Sequence, residues 1–207
     1  MMLNQLHNDF KLNGRSFDTF KDLLSYSKLN TPLLYSFLTQ WFDQNEYLII
    51  QTSGSTGTRK KISVKKVHMI NSAMATGEFF NLEPKTKALL CLSVDYIAGK
   101  MMLVRAIVLG WYLDVVRPSS DPLRAVEKPY DFTAMVPMQL IQSKDRLNSI
   151  KKIIVGGGEV TLKVQKGLQH LKAEVYATYG MTETVTHIAV KALNKIIEPS
   201  ELNTYYQ

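Results

Sequence analysis

A single cysteine, Cys91, stands in 207 residues, so no internal disulfide can brace this chain. A reducing, cytoplasmic setting is the expectation that follows. Cys91 lies within the apolar run 88–94, where a thiol packs as a small hydrophobe, without the electropositive and accessible surroundings a nucleophilic cysteine needs. Long apolar runs are lacking too. The most apolar window, residues 97–113, is broken by Lys100 and Arg105. It falls short of the roughly 20 residues of a membrane span, so it reads as a buried helix and no membrane partner is expected. The first residues, MMLNQLHNDFKLNG, have no apolar centre and do not read as a secretory signal. Internal repeats and low-complexity linkers are absent.

Acidic charge is in deficit, with 25 Lys and Arg against 18 Asp and Glu for a net charge of +7. That surplus favours anionic partners such as nucleotides, acyl thioesters or nucleic acid, and it says nothing about fold. Nucleic acid is disfavoured: beyond Arg59, Lys60, Lys61, Lys65 and Lys66 the cations are spread along the chain, and no aromatic-rich RNA motif accompanies them. A hydrophobic content of 45% supports a real core, and the length suits one large or two small domains.

What is present is an alternation of elements. Apolar residues recur at helical spacing over 23–45, with Pro32 acceptable in a first turn. Strands are then predicted at 47–50, 62–64, 88–94, 112–116, 132–136, 152–155, 173–177 and 186–192. Helices are predicted at 67–81, 99–110, 139–147 and 162–171, with a short one at 123–128 after the turn-rich segment 117–122. Strands alternating with helices at this spacing predict an α/β fold with a largely parallel sheet and flanking helices.

Three stretches invite chemistry. QTSGSTGTRKK follows the first strand: Gly54 and Gly57 allow successive amides to converge on an anion, Thr52, Ser53, Ser55, Thr56 and Thr58 add hydroxyls, and Lys60 offers a point charge for phosphate. A solvated hairpin turn between Ile50 and Ile62 is the alternative. A Walker A loop is excluded, since Arg59 stands five residues after Gly54 and Lys60 and Lys61 follow it. GGGE at 156–159 follows a strand, where ligands bind in open α/β sheets; it lacks the third glycine of a dinucleotide fingerprint, and a plain strand-to-helix turn is the alternative. YATYGMTET at 176–184 brings an aromatic ring, a glycine, hydroxyls and a carboxylate together after another strand. That set could stack a base, bind phosphate and hold a hard cation.

Taken in order, TSGSTGTRKK, GGGE and YATYGMTET resemble the adenylate-forming acyl-CoA synthetase superfamily, whose members carry TSG(S/T)TGxPKG, a glycine-rich GGA or GEP segment and YGxTE. Among its subfamilies, TAMVPMQLIQ and IIVGGGEVT look most like the o-succinylbenzoate:CoA ligases of menaquinone biosynthesis. The resemblance implies part of the large N-terminal domain of an adenylate-forming enzyme, with ATP, Mg2+ and coenzyme A as cofactor and co-substrates and a small carboxylic acid as the partner. It implies that Thr52, Ser53, Gly54, Ser55, Thr56, Gly57 and Lys60 hold phosphates, and that Gly157, Gly158 and Glu159 line the adenine and acyl pocket. Tyr179, Gly180 and Met181 would lie at the nucleotide, Thr182 would bond the α-phosphate, and Glu183 would ligate magnesium. Lys60, Thr182 and Glu183 are thus the implied catalytic set, and Tyr96, Gly99 and Gly157 the implied acyl pocket.

Three departures qualify this pattern. Arg59 and Lys61 replace the family's proline and glycine, which makes the loop more basic. VDYIAG stands at 94–99 where many relatives have Phe-His before a glycine, so no histidine role carries over to that segment, and a core aromatic at a strand end is the alternative for Tyr96. No ribose-binding aspartate motif or late catalytic lysine follows YGMTE; Lys191 and Lys195 are not credible stand-ins. The chain therefore reads as an incomplete N-terminal AMP-binding domain without the C-terminal lysine-bearing domain. A truncated, non-catalytic nucleotide- or thioester-binding module is the alternative.

Overall fold

A computed structural model describes residues 5–51, 60–124 and 126–195. Its frame is an eight-stranded sheet among those residues, and the strands are short. In chain order they are β1 (Lys11–Leu12), β2 (Arg15–Ser16), β5 (Lys87–Leu90), β6 (Tyr112–Val115), β7 (Tyr130–Met135), β8 (Ile150–Val155), β9 (Glu174–Gly180) and β10 (His187–Ala192). The remaining two strands, β3 (Tyr47–Gln51) and β4 (Lys61–Lys65), form a separate antiparallel hairpin, with Gln51 opposite Lys61. The helices are α1 (Phe20–Asn30), α2 (Pro32–Trp41), α3 (Lys66–Phe80), α4 (Ile97–Leu109), α5 (Pro137–Gln142) and α6 (Leu162–Leu168).

Across the sheet the order is β10-β9-β8-β7-β5-β6-β1-β2, and the strands from β9 through β1 run parallel. Only β10 and β2, at the two edges, are antiparallel to their neighbours. The chain leaves β5 toward β6 on one side, then crosses to β7 on the other side of β5. The carboxyl ends of β5 and β7 are therefore a topological switch point, the place where ligands bind in open parallel sheets.

Both faces of the sheet are covered, which is why its strands read as continuous apolar runs. On β5, Ala88 and Leu90 belong to the core beneath α3 and α4, while Leu89, and Cys91 just past the strand, belong to a second core with Leu123, Leu140 and Leu168. Helix α4 has no polar stripe: Met101 to Val108 are all buried, Arg105 among them.

The periodicity over 23–45 proves to be two helices. Thr31 leaves the helical region at φ −139°, ψ 59°, and Pro32 opens α2 at its first turn, where the missing N–H costs nothing. The strand expected at 88–94 stops at Leu90, and the helix expected at 139–147 is α5 followed by a 3-10 segment, Lys144–Ser149. Residues 122–124 form a turn where a short helix was expected. The β1–β2 hairpin was not anticipated; Asn13 and Gly14, both at positive φ (50° and 79°), build its two-residue turn. Among the described residues no helix is long and apolar enough to cross a membrane.

Candidate active site

A cavity of about 860 Å3 opens at the switch point. Its wall is made by the segments that leave β5 (Leu92, Ser93 and Tyr96 to Gly99), β7 (Met135, Val136), β8 (Gly156, Gly157) and β9 (Met181 to Glu183). Gln51 and Lys60, the residues that flank 52–59, line it as well. Thr52, Ser53, Gly54, Ser55, Thr56 and Gly57 lie outside the described residues. Hairpin strand β4 packs against the 3-10 turn Thr182–Thr184, so the two motifs at the extremes of the pattern meet at one rim.

Local structure explains how these segments converge. Gly99 has no room for a side chain: a Cβ there would stand 2.2 Å from the Ser93 carbonyl oxygen, so α4 and the β5 exit loop can close on each other only through glycine. Gly180 is confined in the same way, at 2.3 Å from the Thr186 oxygen, and Gly157 adopts φ 79°. The buried Gln139 amide donates to the carbonyls of Cys91 and Ser119 (3.0 and 2.9 Å) and accepts from the Val136 amide, tying the exits of β5 and β7 together. Thr184 Oγ1 accepts from the Met181 amide at 3.0 Å and lies 2.7 Å from the Thr186 carbonyl. Val185 follows at φ 71°, an unfavourable region for a β-branched residue, and strain of this kind clusters at functional turns.

Of the residues singled out from the sequence, Lys60, Tyr96, Gly99, Gly157, Gly180, Met181, Thr182 and Glu183 line this one cavity. Gly158, Glu159 and Tyr179 do not; they are the exposed neighbours of lining residues Gly157 and Gly180. Tyr96 and Tyr179 are both about half exposed, at 53% and 55%, so each offers a ring face rather than core packing. Cys91 is fully buried against the Ala134 carbonyl, and burial pushes its thiol up to about 11, which removes it as a nucleophile.

Two charged or titratable residues of the wall have no counterpart in the sequence reading. Arg105 is 2% exposed, and its guanidinium donates to Thr76 Oγ1 (3.2 Å) and Thr186 Oγ1 (2.8 Å). No carboxylate among the described residues pairs with it, and burial lowers its pKa to about 10, so it stays cationic at neutral pH. His187 lies beside it, with Nδ1 3.3 Å from Thr186 Oγ1; burial and the Arg105 charge lower its pKa to about 4. A buried cation with neutral partners on a cavity wall is an arrangement that an incoming anion completes. An otherwise apolar helix interrupted by Lys100 and Arg105 was the available clue to Arg105.

No group of three or more His, Cys, Asp and Glu among the described residues is placed to hold a metal. The one carboxylate among the described lining residues, Glu183, is exposed and follows Thr182 in sequence, so the pair offers oxygen donors only. This donor set suits magnesium, which takes one or two carboxylates and completes its shell with water and substrate phosphate.

The family model described as AMP-binding enzyme matches residues 21–205. Among curated proteins, the 2-succinylbenzoate–CoA ligase of Staphylococcus epidermidis is 28% identical over 143 residues, 66% of this chain and 30% of that protein. The Lactococcus lactis protein of the same name is 25% identical over 171 residues, 79% of this chain and 38% of that protein. Among solved structures, an acyl-CoA synthetase (AMP-forming)/AMP-acid ligase II-like protein from Dyadobacter fermentans superposes with TM-score 0.76 at 38% identity, covering 84% of this chain and 53% of that one. The O-succinylbenzoate coenzyme A synthetase of Bacillus subtilis, in complex with ATP and magnesium, gives TM-score 0.64 at 20% identity over 77% of this chain and 39% of that one, a likeness of fold. The chain spans about a third of the length of the curated relatives it matches.

Proposed function

The chain belongs to the AMP-binding enzyme family, and on that premise we propose that it is part of the large N-terminal domain of an ATP- and magnesium-dependent acid:CoA ligase. The acid we assign is o-succinylbenzoate. The whole reaction would have two halves. A carboxylate of the acid attacks the α-phosphorus of ATP, giving an acyl adenylate and pyrophosphate; the thiol of coenzyme A then displaces AMP from the acyl carbon. Because the chain spans about a third of its curated relatives, the second half is assigned to residues beyond this sequence, as is the catalytic lysine.

The observation that carries the reading is Arg105. 2-Succinylbenzoate bears two carboxylates, one consumed by the chemistry and one that has to be buried unreacted. A buried guanidinium whose partners among the described residues are both hydroxyls, on the wall of the cavity that also gathers Lys60, Thr182 and Glu183, suits that second carboxylate. The names of the curated relatives point the same way.

In this reading Lys60, with the stretch Thr52 to Gly57, neutralises the departing phosphates, and the Thr182 hydroxyl donates to the α-phosphate. Bringing two anions together is the central difficulty of the first half, so fixed cations and N–H groups aimed at the developing charge supply much of the rate. Magnesium, when bound, would offset phosphate charge. Glu183 would supply the carboxylate that holds it. Arg105 fixes the acid at its far end and so sets the position of the reacting carboxylate. Tyr179, exposed beside Gly180, offers a ring face to the adenine, with Gly158 and Glu159 on the adjoining turn.

Acid-dependent exchange of pyrophosphate into ATP by the longer gene product tests the reading. Exchange should require o-succinylbenzoate and fall at least a hundredfold in Glu183→Ala. Undiminished exchange in that variant would show that the carboxylate does not hold the metal.

A further inference from the structure

Arg105, Thr186 and His187 form a hydrogen-bonded chain on the cavity wall. A guanidinium can only donate, so Thr186 Oγ1 accepts from Arg105 Nη2 at 2.8 Å. The hydroxyl's own hydrogen is then available to the ring nitrogen beside it, His187 Nδ1, at 3.3 Å. Reversing that bond would leave the hydroxyl hydrogen without an acceptor among the described residues. With Nδ1 accepting, the proton of the neutral imidazole sits on Nε2. Nε2 has no partner among the described residues, and His187 lines the cavity.

The wall therefore carries a cationic donor and, linked to it through a single hydroxyl, an uncharged one. In 2-succinylbenzoate the ring carboxylate and the ketone stand on neighbouring ring carbons. We propose that His187 is a specificity-determining residue of the acid pocket: its Nε2–H donates to an uncharged carbonyl oxygen of the acid whose adjacent carboxylate is held by Arg105. The substrate class is thus the 2-acylbenzoates. Thr186 acts as the positioning residue that sets the imidazole tautomer. This rests on the reading of the cavity as an acid-activation site.

The chemistry of discrimination follows from desolvation. A bound acid that lacks the carbonyl leaves the Nε2–H facing an apolar methylene with water displaced, and a donor stranded in that way weakens binding. A second carboxylate in that position would gain less than from a second cation. His187 stays uncharged because it is buried beside Arg105, the arrangement that also lowers its pKa to about 4. Phe80, whose ring meets that of His187 edge-on at 6.3 Å, limits its reorientation.

Calorimetry on the 207-residue chain tests this with two probes, 2-succinylbenzoate and the analogue in which a methylene replaces the ketone. The wild-type chain should bind the ketone acid about tenfold more tightly. His187→Leu should bind both acids equally, at the wild-type affinity for the methylene acid, whereas His187→Gln, which keeps an N–H donor, should retain a preference of about threefold or more. The ratio of two affinities on one variant is insensitive to any unfolded fraction, so a folding defect cannot mimic the result. A nitrogen-15 spectrum of the free chain should show Nε2 protonated and Nδ1 bare. If His187→Leu keeps the tenfold preference, or the wild type shows none while Arg105→Met abolishes binding of both acids, the assignment of His187 is overturned and the site reading stands. If the wild type binds neither acid, the site reading fails and the assignment with it.

Discussion

Arg105 donates to Thr186 Oγ1 at 2.8 Å across 81 residues of sequence, joining the middle of α4 to the segment that enters β10. The bond puts a permanent charge on the cavity wall at a depth where water cannot solvate it. Replacing that charge separates ligand binding from stability. Arg105→Met should leave the fold as stable as the wild type or more so, by up to about 2 kcal/mol, because a desolvated charge is exchanged for apolar volume. Binding of o-succinylbenzoate should fall at least a hundredfold. Thermal melts and calorimetry on one preparation check both, and a melting point lowered by many degrees would show that the guanidinium is structural.

Glycine at the cavity floor tests the close approach of α4 to the β5 exit. Gly99→Ala forces a methyl to within 2.2 Å of a backbone oxygen that cannot swing aside, and should cost about 2–3 kcal/mol. Gly167→Ala is the control: α6 presents nothing within 4 Å of that Cβ, and the change should stabilise by up to about 1 kcal/mol through helix propensity. Urea denaturation of both variants measures the contrast.

A second device anchors the β3–β4 hairpin. Lys66 is fully buried, and its ammonium meets the Asp43 carboxylate at 2.7 Å and the Asp43 carbonyl at 3.1 Å. Asp43 lies partly exposed, and its pKa is lowered although desolvation, the largest influence, pushes the other way; the bond from Lys66 is the leading opposing cause. Asp43→Ala should destabilise by about 2–4 kcal/mol by stranding a buried cation, and adding Lys66→Met should restore most of that loss. A double-mutant cycle in denaturant measures the coupling, and additive effects would show that the two residues act independently.

The α/β alternation was legible because buried parallel strands such as Ile153–Ile154–Val155 leave runs that no other element explains. The three motifs that mark the rim were legible for a related reason: glycine and hydroxyl residues directly after a strand have few packing roles. The Arg105–His187 wall of the cavity was not. Arg105 interrupts an apolar window and His187 opens an edge strand, and they meet only because β9 and β10 fold back antiparallel next to α4. Nothing local encodes that meeting. The β1–β2 hairpin escaped because two-residue strands are too short for periodicity, although Asn13-Gly14 is the dipeptide of a tight turn.

His187 gives the fold a pH dependence that its neighbour controls. Its pKa is lowered from 6.5 to about 4, first by burial and then by the Arg105 charge. Below about pH 6.5 the unfolded chain takes up a proton that the native chain refuses. The stability this residue contributes is therefore complete above that value and is lost as pH falls toward 4. Between pH 7 and 5 the loss amounts to about 2 kcal/mol. His187→Gln should remove that portion of the pH profile while leaving the contribution of the carboxylates in place, so the difference between the two urea-denaturation curves isolates it. Saturating o-succinylbenzoate should shrink the loss in the wild type, because a carboxylate on Arg105 cancels part of the charge that opposes protonation of the ring. An unchanged pH profile with the acid bound would place that carboxylate away from Arg105.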